Sequence, residues 1–149
     1  MSNVMVIDAE NAVFGRLASY VAKQVLLGKE IAVVNSEKIR IIGNEKDITK
    51  KYIAMRRKGG SAMRGPYYPS IPYQIIKRAI NGMLPKRKGR GVDALERVKC
   101  YDGIPHQFKD VKMTKSSRDI IPIKSMTLQE LSQKLKHRHE THSLSNLKK

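Results

Sequence analysis

Apolar positions in the first third of the chain alternate between short β-prone runs and helical spacing. Val4 to Ile7 is a short β-prone run, and Ile31 to Val34 is a continuous apolar run of the kind buried in a parallel sheet. Between them, Phe14, Leu17, Ala18, Val21, Val25 and Leu26 recur at helical spacing, which predicts one amphipathic helix over Val13 to Leu27. Gly28 follows where a helix end favours a left-handed residue. Ile39 to Ile42 predicts a further short strand. Asn44 and Asp47 read as a helix start, with Ile48, Tyr52 and Met55 continuing the period.

Beyond a Gly/Pro-rich loop at 59–72, Pro72 opens a predicted helix from Tyr73 to about Met83. Its inner stripe is Ile76, Ala79, Ile80 and Met83, with Lys77 and Arg78 off that stripe. Val92 to Arg97 predicts a short helix, and Val98 to Tyr101 a strand ended by Asp102-Gly103. Residues 104–124 read as an extended, irregular arm. Thr127 and Glu130 then form a capping box ahead of Leu128, Leu131 and Leu135, and the polar last dozen residues read as frayed. Strands alternating with helices predict an α/β layer fold with a mostly parallel sheet. At 149 residues the chain fits one domain, a core over about 1–105 with a basic insertion at 48–92, then an arm, helix and tail over 106–149. With 40% hydrophobic residues, no Trp and two Phe, its core must be mostly aliphatic.

Charge changes the picture most. The formal net charge is +17, whereas a magnitude of about 2 to 8 is enough to keep a small domain soluble. Nor is the charge evenly spread. Residues 1–47 hold six basic and six acidic side chains, residues 48–92 hold twelve basic and no acidic ones, and residues 93–149 hold twelve and seven. Ordinary surfaces intersperse both signs, because like charges repel at close range. A carboxylate-free stretch with Gly-rich segments (Lys58 to Gly65, Lys86 to Gly91) suits a polyanion, since glycine lets the backbone approach closely while Lys and Arg neutralise phosphate. A disordered basic linker that orders on a nucleic acid has the same composition.

Enzymatic chemistry finds little support. The turn Ala9-Glu-Asn-Ala-Val-Phe-Gly-Arg16 has one glycine where a dinucleotide site needs G-x-G-x-x-G, and no Walker-type G-x-x-x-x-G-K-[ST] occurs. Cys100, the single cysteine, sits on a predicted strand and reads as packing, not as a nucleophile with His106. His137, His139 and His142 lack the i,i+4 spacing of a helical metal pair. Asp8 and Glu10 read as serving the entry to the first helix. No metal site and no cofactor are expected. Asp8 and Glu10 also interrupt the apolar run that a secretory signal needs, and nothing approaches the ~18 consecutive apolar residues of a membrane span. The expected setting is cytoplasmic, with no membrane and no small-molecule substrate. Tyr67, Tyr68 and Tyr73 are interleaved with the basic stretch, where base stacking and loop packing are equally open.

Several ordered motifs resemble one family. Ile7-Asp-Ala-Glu-Asn-Ala-Val-Phe-Gly-Arg-Leu-Ala-Ser19, Val33-Val-Asn-Ser-Glu-Lys38, Ile42-Gly43, Gly82-Met-Leu-Pro85, the basic run to Gly91, Ala94-Leu95 and Val98-Lys-Cys-Tyr-Asp-Gly-Ile-Pro105 are similar to the large-subunit ribosomal protein thirteen family in its archaeal and eukaryotic form. Gly65-Pro66 with Pro69-Ser70, and the helix from Thr127 to Leu135, are similar too. The resemblance implies a three-layer α/β/α domain around a four-stranded sheet. It further implies binding to large-subunit ribosomal RNA beside neighbouring large-subunit proteins, a part in early subunit assembly, and no catalysis. Asn81 stands where relatives often carry a basic residue, so no RNA contact is assigned there, and no role is assigned to the tail 138–149.

Taken together, the expected RNA contacts are Lys50, Lys51, Arg56, Arg57, Lys58, Arg64, Lys77, Arg78, Lys86, Arg87, Lys88 and Arg90, with Tyr67 and Tyr68 as candidates for base stacking. The rivals are a chromatin-type DNA binder and an RNA-modifying or nucleotide-using enzyme. Preference for structured RNA over duplex DNA separates the first, and a stoichiometric cofactor would reveal the second.

Overall fold

Strands β1 (Met5–Asp8) and β2 (Ile31–Val34) pair in parallel along their whole length, Met5 opposite Ile31 and Asp8 opposite Val34. In the computed structural model, which describes residues 4–58, 67–115 and 122–136, helix α1 (Phe14–Leu26) joins them. A parallel pair needs such a crossover. α1 packs back on the sheet by the stripe Leu17, Ala18, Val21, Ala22 and Val25, all buried, as the apolar period predicts. Gly28 ends the helix at φ 91°, its N–H donating to the Val25 carbonyl at 3.0 Å.

The strand Arg40–Ile42 (β3) leaves this sheet. Only residues 35–39 separate it from β2, whereas a parallel crossover takes roughly a dozen residues or more. It pairs instead with a distant strand, antiparallel, as described below. Strand β4 (Val98–Cys100) lies on the far side of β2, Ile31 opposite Val98. The fourth strand is β5 (Thr114–Lys115), beside β1, with Ile7 opposite Thr114. The sheet order is β4-β2-β1-β5, every pairing parallel. Thus the four-stranded sheet draws its last member from the segment that reads as an irregular arm. Two exposed residues, Thr114 and Lys115, leave no period to detect.

Alternation along the strands divides the core. Ile7, Ile31, Val33, Val98 and Cys100 face a large cluster that also holds residues from α1, α3 (Pro72–Met83) and α4 (Gly89–Glu96). Val6, Ala32 and Val34 face the other way, where Tyr101, Phe108 and Met113 cover them. The Tyr101 and Phe108 rings lie 5.8 Å apart, tilted by 55°. This opposite layer is the connection 101–113 with a single 3₁₀ turn at His106–Phe108. Its side is fixed by direction. β1 to β2 and β4 to β5 cross the sheet in opposite senses, so two right-handed crossovers must lie on opposite faces.

Helix α2 (Glu45–Arg57) stands apart, with Ile48 its one buried residue. Strand β6 (Ser125–Thr127) pairs antiparallel with β3, Arg40 opposite Thr127, and leads into helix α5 (residues 128–136). The capping box forms as its spacing predicts: the Glu130 N–H donates to Thr127 Oγ1 at 3.2 Å, and the Thr127 N–H donates to Glu130 Oε2 at 3.1 Å. Leu128, Leu131 and Leu135 are buried in the main core. Asn44 precedes α2 as expected, although its side chain makes no cap hydrogen bond.

Two outcomes test this packing. An added Cβ at Gly91 would lie 2.3 Å from the Pro85 carbonyl oxygen, so the turn 85–88 folds tightly over the start of α4. Gly91→Ala should therefore cost about 1–3 kcal/mol of stability, read from the urea midpoint, and an unchanged midpoint would show that the turn yields freely. Burial pushes the Cys100 thiol up to about 12 from an ordinary 9.0, with Lys77 pulling it down and Asp102 up. Because the folded value lies above the unfolded one, its contribution to stability is complete below pH 9 and is lost as pH climbs toward 12. At pH 8 a thiol reagent should modify the native protein far more slowly than the urea-unfolded chain; equal rates would refute the burial.

Candidate nucleic-acid interface

Because α2 buries so little, most of its surface can carry charge. Lys46, Lys50, Ile53 and Arg57 fall on one stripe at i, i+4, i+7 and i+11. With Thr49, Ala54 and Lys134 of α5 they line an open groove of about 760 Å³ whose lining holds no carboxylate. Lys134 also pairs with Glu45, the first residue of α2, which neutralises that carboxylate. Acidic residues occupy the first turn of α2 and Arg56 and Arg57 its last, an order that complements the helix dipole.

On its other flank α2 meets α3 and the start of α1. There Lys51, Tyr52, Met55, Tyr68, Arg78 and Lys86 are among the residues lining a cavity of about 360 Å³. The Arg78 guanidinium carbon sits 4.1 Å from the centre of the Tyr68 ring. Burial and the nearby Tyr68 hold the Tyr52 phenol above its ordinary value.

Lys86, Arg87, Lys88 and Arg90 are all exposed around the N-terminus of α4. That first turn has no acidic residue and no side-chain cap; its Gly91 N–H donates to the Lys88 carbonyl at 2.9 Å, while the helix dipole and the surrounding cations favour an anion.

The expected contacts are therefore largely brought together. Lys50 and Arg57 line one groove, Lys51, Arg78 and Lys86 the other, and Arg87, Lys88 and Arg90 are exposed along the turn into α4 that follows Lys86. Lys58 is exposed at the end of α2, and Tyr67 is 74% exposed. Two residues are committed elsewhere. Arg56 donates through Nη1 to the Leu135 carbonyl at 3.2 Å and so ties α2 to α5. Lys77, half-buried, lies near enough to Cys100 to lower its thiol pKa, and it lines neither groove. Arg64 lies outside the described residues, as do His137, His139 and His142. Sequence reasoning missed Lys46, Tyr52 and Lys134. The i,i+4 relation of Lys46 to Lys50 was a usable signal, but Lys134 joins only because α5 docks on α2.

The carboxyl ends of parallel strands are where α/β sheets usually bind ligands. Here that end is occupied by carboxylates in internal hydrogen bonds. Asp8 Oδ1 accepts from the Glu10 N–H at 3.0 Å and from Asn35 Nδ2 at 2.8 Å, and Glu37 Oε2 accepts from the Gly103 N–H at 2.8 Å. Glu10 pairs with Lys38 at 3.0 Å, which holds the Lys38 ammonium above its ordinary value. Thus Asp8 and Glu10 fasten the turn between β1 and α1; the helix itself starts at an uncapped Val13. Asp102, raised by desolvation and then by Glu37, accepts a hydrogen bond from the Tyr73 backbone at the start of α3. Phosphate would meet like charge at this end. Among the described residues no group of three His, Cys, Asp or Glu side chains is arranged to hold a metal ion, and no helix is long and apolar enough to cross a membrane.

Comparison with known proteins gives this geometry a lineage. The family model for ribosomal protein L13 matches residues 2–107. The large ribosomal subunit protein uL13 of Thermoplasma volcanium is 44% identical over 133 residues, covering 87% of this chain and 96% of the relative. The uL13 of Methanococcus maripaludis is 46% identical over 134 residues with the same shares, and that of Methanosarcina barkeri 44% over 135. The matched region runs from before β1 to the 3₁₀ turn beyond β4 and takes in α1 to α4, so the chain belongs to the ribosomal protein L13 family.

Proposed function

We propose that this protein is a structural constituent of the large ribosomal subunit, in the cytoplasm, and that it binds ribosomal RNA and supports subunit assembly through the face formed by α2, α3 and the turn before α4. The family is structural and not enzymatic. One observation carries the RNA-binding part: Lys50, Lys51, Arg57, Lys58, Lys86, Arg87, Lys88 and Arg90 are all exposed, and no carboxylate lines either groove of α2. The ion pairs of Lys38 with Glu10 and of Lys134 with Glu45 do not engage this set.

Each element has a chemical task. The Lys and Arg side chains neutralise phosphates and set the register on the RNA, which needs few base-edge contacts. Arg78 and Tyr68, already in contact, offer faces on which an unpaired base can stack, and exposed Tyr67 offers another. Arg56 acts partly through structure, holding α5 against α2, and Lys77 belongs to the margin of the surface. Residues 1–105 with the basic insertion 48–92, and the segment 106–149, act as one domain in this reading, since α5 completes the α2 groove. Neighbouring large-subunit proteins meet the remaining faces.

Three measurements test the surface. If about six to ten phosphates are engaged, affinity for in vitro transcribed large-subunit ribosomal RNA should fall by about 10³ to 10⁵ between 50 and 200 mM salt; a flat response would exclude a phosphate-binding face. Replacing Lys86, Arg87, Lys88 and Arg90 together by Ala should lower the slope of log affinity against log salt by about 0.7–0.9 for each phosphate that is no longer neutralised. Wild-type affinity and slope in that variant would remove the α4 turn from the interface. Duplex DNA should compete poorly with structured RNA, because A-form shape and 2′-hydroxyls distinguish the two.

A further inference from the structure

We propose that the cavity between α2, α3 and the start of α1 receives one unstacked base of the bound RNA. The proposal rests on the RNA-binding reading and specifies what that surface recognises beyond phosphate. At about 360 Å³ the cavity falls within the roughly 300–1,000 Å³ of sites built for small ligands. Its composition is mixed in an informative way. Phe14, Tyr52, Met55 and Ile75 supply an apolar and aromatic lining. Lys51, Arg78 and Lys86 supply three cations, and Asn81 an amide that both donates and accepts.

No single simpler occupant needs all of these. A lone phosphate needs cations but no aromatic lining. An apolar side chain of a protein partner needs the lining, and three cations without a carboxylate would serve it no purpose. A nucleotide whose base has left the stack needs both, because the π-face packs on aromatic or guanidinium surfaces while its phosphates meet Lys and Arg. Arg78, positioned against the Tyr68 ring at 4.1 Å, is already placed for such a role. Asn81 also acquires a reason here. A neutral amide on the cavity lining can hydrogen-bond a base edge, which a basic residue at that position would do only as a donor.

Gly82 provides a clean test. It lines the cavity, and an added Cβ meets nothing within 4 Å, so Gly82→Leu adds bulk at the wall from a position with open space around its Cβ. Tyr68→Ala removes the stacking partner of Arg78 from outside the core. Each variant would be titrated against in vitro transcribed large-subunit ribosomal RNA, with base-reactive chemical probing of the complexes and thermal melting as a folding control. With wild-type protein, one unpaired base should change reactivity on binding. In both variants that change should disappear and affinity drop about 5- to 150-fold, as for loss of one stacked base, while the salt slope stays at its wild-type value. Wild-type affinity and wild-type base reactivity in both variants would overturn the base pocket and leave phosphate binding standing. If the wild-type protein shows no salt-dependent binding to this RNA, the underlying RNA-binding reading fails, and the pocket with it.

Discussion

A parallel sheet must be covered on both faces, because its strands are buried on both and its connections have to cross it. In this protein that requirement uses nearly all the apolar material. β2 is buried at every residue, α1, α3 and α4 cover one face, and the connection 101–113 covers the other. α2 is left over. With Ile48 as its one buried position, it is attached to the core but not consumed by it. A helix so lightly anchored can devote most of its circumference to charge, and both grooves of the basic face are built against it.

The same division of labour separates the signs of charge. The amino-terminal third is neutral overall, and its carboxylates at the strand ends are held by backbone N–H groups, an asparagine and a lysine. They stabilise turns where a ligand crevice might otherwise open, and they stay out of the grooves. The α2 grooves, by contrast, carry several cations and no carboxylate on their linings. Their mutual repulsion acts over about 10 Å at 0.1 M salt, so in isolation this face is a cost to the fold. A bound polyanion would convert that cost into attraction, the physical basis of the RNA-binding reading proposed above.

Much of this was legible in the sequence because strong periods map onto buried stripes. The α1 stripe, the apolar run of β2, Pro72 at the start of α3 and the Thr127–Glu130 capping box each occur where the pattern places them. What was not legible depends on long-range geometry. β5 is two exposed residues whose strand character comes only from lying beside Ile7. β3 reads as a strand, but its partner is set by the shortness of residues 35–39, a chain-length constraint that local pattern does not express. Among the cations, composition marked a segment and not individual positions. It did not separate Lys77, beside Cys100, from Arg78, its neighbour in sequence, which turns to the cavity.

The docking of α5 extends this logic from the fold to the interface. Leu128, Leu131 and Leu135 carry α5 into the main core. Polar pairings then bind it to α2: Arg56 with the Leu135 carbonyl, Lys134 with Glu45, and Thr49 with Met126 just ahead of the helix. The second of these brings Lys134 to the wall of the larger groove. The groove is therefore made of residues far apart in sequence, and the backbone positions that carry its cations are set by the helices α2 and α5. A free peptide with the composition of residues 48–92 would have the same charge and no such spacing. Since phosphates along an RNA strand are themselves regularly spaced, a surface whose cations are pre-positioned loses less conformational entropy on binding than a flexible basic tail of equal charge. In the RNA-binding reading proposed above, the burial of three leucines near the C-terminus thus serves an anion that none of them touches.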